Sequence, residues 1–303
     1  YLALTVPHAN NERTRALGDG QEVPDYGPYA ANDWPAPDKG QAAMITRMDA
    51  QIGQLLLRLD ELGLTEKTFV VFTSDNGPHQ EGGNRPDFFD ANGPVRGLKR
   101  DLTDGGIRVP FIARWPGRIP AGQVSDHVGY FGDVLATCAE LAGVPTPRGL
   151  DSISLVPTLV GRPEKQKRHD YLYWEFHERG FHQAVRLEDW KAIRLGTAKP
   201  IALYDLKTDL GEKHDVAASH PDVVRKIERI LQHARSENPE WPIKERPARG
   251  SRALGSTRRL ARNRRFLQPC KTLLHLQQSF ALKLRRPIRR QRALNPQTGA
   301  CGK

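Results

Sequence analysis

The chain has no apolar run of the roughly 18–20 residues that a membrane-spanning helix requires, so no transmembrane segment is expected. Only three cysteines, Cys138, Cys270 and Cys301, occur in 303 residues. An odd number at scattered spacings excludes a disulfide framework as the basis of the fold. The glycines follow neither the Walker nor the dinucleotide-binding spacing, which argues against a phosphate-cradling loop of either kind. Acidic residues are missing from one stretch altogether: residues 249–303 hold fifteen Lys and Arg and no Asp or Glu. Subtracting those fifteen from the 46 basic residues leaves 31 against 35 acidic ones, a formal charge of −4 for residues 1–248. The net +11 belongs to the tail, so the high overall pI is a poor guide to the partners of the rest.

Ser74-Asp75-Asn76-Gly77-Pro78 is the segment richest in chemical content. It follows Thr68-Phe69-Val70-Val71-Phe72-Thr73, an apolar, β-branched and aromatic run that reads as a buried parallel strand. Open α/β sheets bind ligands beyond the carboxyl ends of their strands. A carboxylate beside an amide on such a turn offers hard oxygen ligands for Ca²⁺ or Mg²⁺. A plain Asx-type turn is the alternative, since Asp, Asn, Gly and Pro all favour turns. Two other segments bear on the choice. Tyr1 to Val6 reads as a strand delivering Pro7-His8 at its carboxyl end. Gly97-Leu98-Lys99 precedes Asp104-Gly105-Gly106-Ile107-Arg108-Val109-Pro110 and the apolar run Phe111-Ile112-Ala113. An imidazole, a fixed cation and an acid–amide pair on loops beside strands are what catalysis on a charged ester requires.

These pieces, in this order, resemble the carboxyl-terminal half of a type I, formylglycine-dependent sulfatase of the alkaline-phosphatase-like superfamily. The likeness runs from about Tyr1 to about Pro247 and includes the Ile45–Leu64 helix. It extends through Tyr173-Trp174-Glu175-Phe176-His177, Gln183-Ala184-Val185-Arg186, Asp189-Trp190-Lys191 and Leu203-Tyr204-Asp205-Leu206. The resemblance implies an α/β fold with a mixed sheet flanked by helices, incomplete at its amino terminus, plus a small antiparallel-sheet subdomain with a packed helix. It implies an enzyme that hydrolyses sulfate esters, its partner being a small sulfate ester or a sulfated carbohydrate. Asp75 and Asn76 would be two ligands of a Ca²⁺ ion, Mg²⁺ being the alternative. His8 would sit near the bridging ester oxygen and help protonate the leaving alcohol, and Lys99 would pair with the sulfate as a compact point charge. His79 beside the metal turn, and His177 with Glu178, Arg179 and His182 on a later hairpin, are further candidates for substrate contact. Sulfatases of this type are commonly exported or lysosomal, so the resemblance implies a periplasmic or secreted parent.

The departures carry equal weight. The family's formylglycine arises from Cys or Ser within Cys/Ser-x-Pro/Ala-x-Arg, and no such sequence occurs here. An Asp-Asp pair is also absent, and position 104 is Asp where the family pattern has Glu. The chain opens on Tyr1 rather than Met. The expectation is a fragment whose nucleophile and remaining metal carboxylates lie outside the sequence, and which alone turns over little or nothing. Two readings stay open beside it: a phosphonate monoester hydrolase or phosphodiesterase on the same scaffold, and a non-catalytic remnant. The basic tail could contact nucleic acid or an anionic membrane. Only Phe266 and Phe280 interrupt it, so it lacks the stacking platforms of single-strand binders. A shifted reading frame is the favoured origin of this stretch, because the family pattern stops near Pro247.

The remaining organisation follows from periodicity. Asn11 to Lys39, rich in Gly and Pro, reads as a long loop. Ile45, Met48, Ile52, Leu55, Leu56, Leu59 and Leu62 mark an amphipathic helix with Gly63 at its C-cap. Asp133 to Ala142 reads as a helix with a buried Cys138 thiol. Short runs at 171–176, 183–187, 191–195 and 201–204 predict an antiparallel sheet, followed by a helix carrying Val223, Val224, Ile227, Ile230 and Leu231. The expected divisions are residues 1–160, the α/β part; 161–247, the antiparallel subdomain; and 248–303, a disordered basic tail. Nothing in the sequence sets the oligomeric state.

Overall fold

A computed structural model of the chain describes residues 1–178 and 180–243. The basic stretch 248–303, with Cys270 and Cys301, and Arg179 lie outside the described residues.

The carboxyl-terminal half is organised by strict alternation along short strands. Strands β3 (Leu172–Phe176), β4 (His182–Leu187), β5 (Trp190–Arg194) and β6 (Ala202–Asp205) form one antiparallel sheet in sequence order. Successive side chains point to opposite faces, so each pair of neighbours divides between two cores. Val185, Ala192 and Leu203 pack with Val223, Ile227 and Leu231 of the helix Pro221–His233. Ala184, Ile193 and Tyr204 instead pack with Leu102 and the half-buried Ile107. The sheet is therefore covered by the helix on one face and by the 102–107 segment on the other. Both the antiparallel sheet and the packed helix agree with the sequence reading.

A charge cluster crosses that second face. Lys191 on β5 is fully buried and its Nζ lies 2.7 Å from Asp104 Oδ1 and 3.9 Å from Glu212 Oε1. Glu212 Oε2 accepts the Asp104 backbone N–H at 2.6 Å, at the start of the short helix α3 (Asp104–Ile107). Burial raises the Glu212 carboxyl above its ordinary value. Lys191 Nζ also stands 5.4 Å from the centroid of the Trp174 ring.

The amino-terminal half differs more from expectation. Residues 1–5 form no strand and are exposed; a strand needs a ladder partner, and none is present among the described residues. Within 11–39 a first helix, α1 (Asn11–Leu17), is capped by Asn10, whose side-chain oxygen accepts the Arg13 N–H at 2.9 Å. Helix α2 spans Ala36–Glu61, beginning well before Ile45. Its prolines lie at the N-cap and in the first turn, where proline is tolerated. Gly63 takes φ +63° past its end, as the C-cap reading required. Buried Asp38 fixes the start of α2, its carboxylate accepting the Arg85 N–H at 2.8 Å. Much of the stripe that revealed the helix, including Ile45, Leu55 and Leu62, is exposed.

Strand β1 (Val70–Thr73) pairs antiparallel with β2 (Phe111–Arg114), Val70 opposite Arg114 and Thr73 opposite Phe111. The expected parallel, buried strand is corrected here: Val71 and Ile112 are exposed. An unbroken apolar run identifies a strand but not the direction of its neighbour. Helix α4 (Asp133–Leu141) precedes the short α5 (Val156–Leu159), and Pro221–His233 is α6. Cys138 is exposed, not buried, because Ala136, Thr137 and Ala139 take the inward positions of α4.

Replacing Lys191 with Met leaves Asp104 and Glu212 without their buried cation, so urea unfolding should show a loss of about 3–5 kcal/mol. Ile227→Ala on α6 should cost about 2–5 kcal/mol in the same assay, from lost transfer energy and a cavity.

Candidate active site

Three loops supply the site, and glycines set how closely they approach. The Gly77 N–H donates to the Gly106 carbonyl at 3.0 Å, and Lys99 N–H to the Pro78 carbonyl at 2.8 Å. A Cβ on Gly77 would meet the Gly105 carbonyl oxygen at 1.8 Å, so only glycine permits the contact. The Ser74–Pro78 turn is thus held against the segment that carries Lys99.

His8, His79 and Lys99 converge, and Glu81 is at their centre. Lys99 Nζ lies 2.9 Å from His8 Nε2 and 3.1 Å from Glu81 Oε2, and His8 Nε2 is 3.0 Å from the same oxygen. His8 Nδ1 lies 2.8 Å from the Ala9 carbonyl, to which it donates. In neutral His8, Nε2 is then an acceptor for the Lys99 ammonium; once protonated, it donates to Glu81. His79 stacks on His8 with centroids 5.4 Å apart, accepts the Glu81 N–H at Nδ1 (3.1 Å), and its Nε2 is 3.2 Å from the Pro7 carbonyl. Burial lowers the His79 value, and the neighbouring His8 and Lys99 charges act in the same direction. His79, read as a substrate contact, is therefore tied into the cluster by both ring nitrogens.

Two residues extend the cluster. Arg100 takes φ +82°, uncommon for a non-glycine residue, and its guanidinium bridges Glu81 (2.6 Å) and Glu178 (2.8 Å). The Arg100 hydrogen bond, then that from Lys99, holds Glu81 at about 2 despite burial. Sequence reasoning did not single out Glu81 or Arg100. Their only signal was position, two residues beyond His79 and one beyond Lys99.

Asp75 is exposed and Asn76 half-buried; Asn76 Nδ2 donates to Asp75 Oδ1, and the Asn76 carbonyl accepts the Ser74 hydroxyl at 3.0 Å. Asp75 Oδ2 and the Asn76 side-chain oxygen accept no hydrogen bond from the described residues. Two adjacent hard oxygens fit Ca²⁺ as part of a ligand set. Among the described residues no group of three His, Cys, Asp or Glu side chains could complete one. His177 belongs to a separate network: its Nε2 is 2.9 Å from Glu175 Oε2, and Glu175 Oε1 accepts from Tyr173 and pairs with Arg235. His177 meets the first cluster only through its neighbour Glu178.

An α/β chain presenting an imidazole, an ammonium and an acid–amide turn on adjoining loops is what the resemblance to the alkaline-phosphatase-like superfamily implies. Comparison with known proteins narrows this. The family described as Sulfatase matches residues 7–144, and that described as N-sulphoglucosamine sulphohydrolase, C-terminal, matches residues 98–237. The chain belongs to the sulfatase family. It is 30% identical over 213 residues to an N-acetylgalactosamine-6-O-sulfatase of Bacteroides thetaiotaomicron, covering 64% of this chain and 41% of that protein. It is 41% identical over 133 residues to the steryl-sulfatase of Rattus norvegicus, covering 43% and 23%. The solved structure of Ps i-CgsB in complex with k-i-k-neocarrahexaose superposes with a TM-score of 0.61 at 26% identity, covering 80% of this chain and 51% of that one. The chain thus spans less than half the length of these curated relatives. No helix among the described residues is long and apolar enough to cross a membrane.

A carboxylate lowered from 4.5 to about 2 contributes stability above pH 4.5 and loses it as pH falls towards 2. Glu81→Gln should therefore be less stable than the unaltered chain at pH 7, by at most about 1 kcal/mol given solvent screening. Thermal unfolding from pH 7 to pH 2 should show the difference closing at the acid end; a constant gap would refute the assignment.

Proposed function

We propose that this chain supplies the sulfate-binding and leaving-group side of a site that hydrolyses sulfate esters. The observation that carries the proposal is the convergence of His8 Nε2 and Lys99 Nζ at 2.9 Å beside the Asp75–Asn76 turn. Lys99 binds the anionic ester oxygens, and its short link to His8 keeps both groups on one reacting centre. In the free site neutral His8 accepts the Lys99 ammonium at Nε2; once Lys99 has turned to the ester, Nε2 takes up a proton from solvent, with Glu81 3.0 Å away to accept from it, and passes that proton to the departing alkoxide oxygen. His79 packs on the imidazole and limits its rotation. Asp75 and Asn76 would hold Ca²⁺, which when bound would neutralise charge on the ester oxygens. The nucleophile, a formylglycine, belongs to residues outside this chain, since the motif that generates it is not in the sequence.

Two of the names above favour a sulfated carbohydrate over a simple aryl ester as substrate. The Bacteroides relative is named for a sulfated amino sugar, and the neighbouring solved structure is a complex with a neocarrahexaose. A Ca²⁺-dependent site of this kind suits a periplasmic or secreted parent, where the ion is plentiful.

The test uses phenyl sulfate and the purified 303-residue chain. Titration calorimetry should register binding that Lys99→Ala weakens roughly 10- to 100-fold, the effect of losing one charged hydrogen bond. Release of phenol should be absent. Binding indifferent to Lys99→Ala would sink the site assignment, and turnover by the chain would overturn the placement of the nucleophile.

A further inference from the structure

A cleft of about 630 Å³ opens between the loop that carries Lys99 and the adjoining edge of the carboxyl-terminal sheet. Arg96, Arg100 and Leu102 line it from the loop, Ile193 and Tyr204 from the sheet, and Lys199 from the connection between β5 and β6. It shares a wall with the candidate active site, because Lys99 faces His8 while the next residue, Arg100, faces the cleft.

The lining has two kinds of surface. Leu102 and Ile193 provide an apolar floor that is itself part of the buried core. Arg96 and Lys199 are exposed, and among the described residues neither forms an ion pair with a carboxylate. Arg96 is held over the Tyr204 ring, its Cζ 5.5 Å from the centroid, which fixes a guanidinium on the cleft wall. The one acidic residue of the lining, Asp101, is turned to its own loop, where Oδ2 accepts the Leu98 N–H at 2.9 Å. Arg100 is already balanced by Glu81 and Glu178. The uncompensated charge of the cleft is therefore positive.

We infer that this cleft binds the saccharide unit next to the one being desulfated, and that Arg96 and Lys199 read an anionic substituent on it. A pyranose ring has apolar C–H faces that suit the floor. A sulfate or carboxylate on that ring meets a planar bidentate donor in Arg96 and a point charge in Lys199. The cleft thus selects oligomeric anionic sugars over isolated esters. This inference rests on the sulfate-ester reading of the His8–Lys99 site.

The test compares the full chain with its Arg96→Glu/Lys199→Glu variant, the basic residues 249–303 being common to both. The probes are a sulfated galactan hexasaccharide, its desulfated counterpart and phenyl sulfate. The variant should lose roughly tenfold or more in affinity for the sulfated hexasaccharide while binding phenyl sulfate as before, with an unchanged melting temperature. Unchanged hexasaccharide affinity, or equal affinity of the unaltered chain for the desulfated sugar, would overturn the inference. If the variant loses hexasaccharide affinity while Lys99→Ala leaves phenyl sulfate binding intact, the cleft stands as an anionic-sugar site and the reading of the His8–Lys99 cluster falls.

Discussion

The buried contact between Lys191 and Asp104 is the interaction on which the geometry of the site depends. Lys191 belongs to a strand of the carboxyl-terminal sheet, and Asp104 opens the short helix just beyond Lys99 and Arg100. Neither charge is stable in the interior alone, and a buried pair is costly unless its remaining hydrogen-bonding capacity is met. Glu212 contributes to meeting it by accepting the Asp104 N–H, and Trp174 presents a ring to the ammonium. The cluster fixes where the 97–107 segment sits on the sheet. That segment carries Gly105 and Gly106, against which the Asp75–Asn76 turn is docked through Gly77. A displacement at Lys191 would pass through two rigid contacts to both the cation and the acid–amide pair.

At the far end of this chain of contacts the charges are arranged for exchange. Glu81 receives Lys99, Arg100 and, when protonated, His8, and it remains ionised down to about pH 2. Under the proposed function an incoming sulfate competes with Glu81 for Lys99, so part of the electrostatic attraction is already satisfied in the free site. What the arrangement provides is orientation: the imidazole and ammonium are held 2.9 Å apart before any ester arrives. Preorganised donors lower the reorganisation needed as charge develops.

The sequence was most legible where one side-chain period had one outcome. Short strand-like runs closely spaced between turn residues located all four strands of the second sheet, and the apolar face at helical spacing located α6, because Val223, Ile227 and Leu231 are all buried on the sheet. It was less legible where burial depended on a partner. The apolar run at 69–72 gave a strand but the wrong neighbour direction, and residues 1–5 gave no strand because no ladder forms. Proline density hid the first turns of α2, although proline at a helix start breaks no hydrogen bond. At the site, His8, Lys99 and His79 were recoverable from motif order and do come together. Glu81 was not, since a Glu in a Gly-rich loop resembles any solvated turn residue until the fold brings Lys99 and Arg100 to it. His177 was placed on the correct hairpin, but its partner Glu175 holds it in another network.

The dipeptide Lys99-Arg100 links these observations. Ordinary backbone geometry would leave two adjacent basic side chains to find solvent independently. Here the left-handed φ of Arg100, +82°, accompanies a division of labour: Lys99 turns to the His8 imidazole, while Arg100 spans Glu81 and Glu178 and walls the neighbouring cleft. A non-glycine residue in that region is sustained only where surrounding contacts over-determine it, and the two carboxylates do so. Glu178 lies just beyond the end of β3, and the same sheet, through Lys191 on β5, also holds Asp104. Sheet, loop and cluster thus constrain the same two residues from both sides, and Arg100 walls the cleft with its guanidinium already held by those carboxylates.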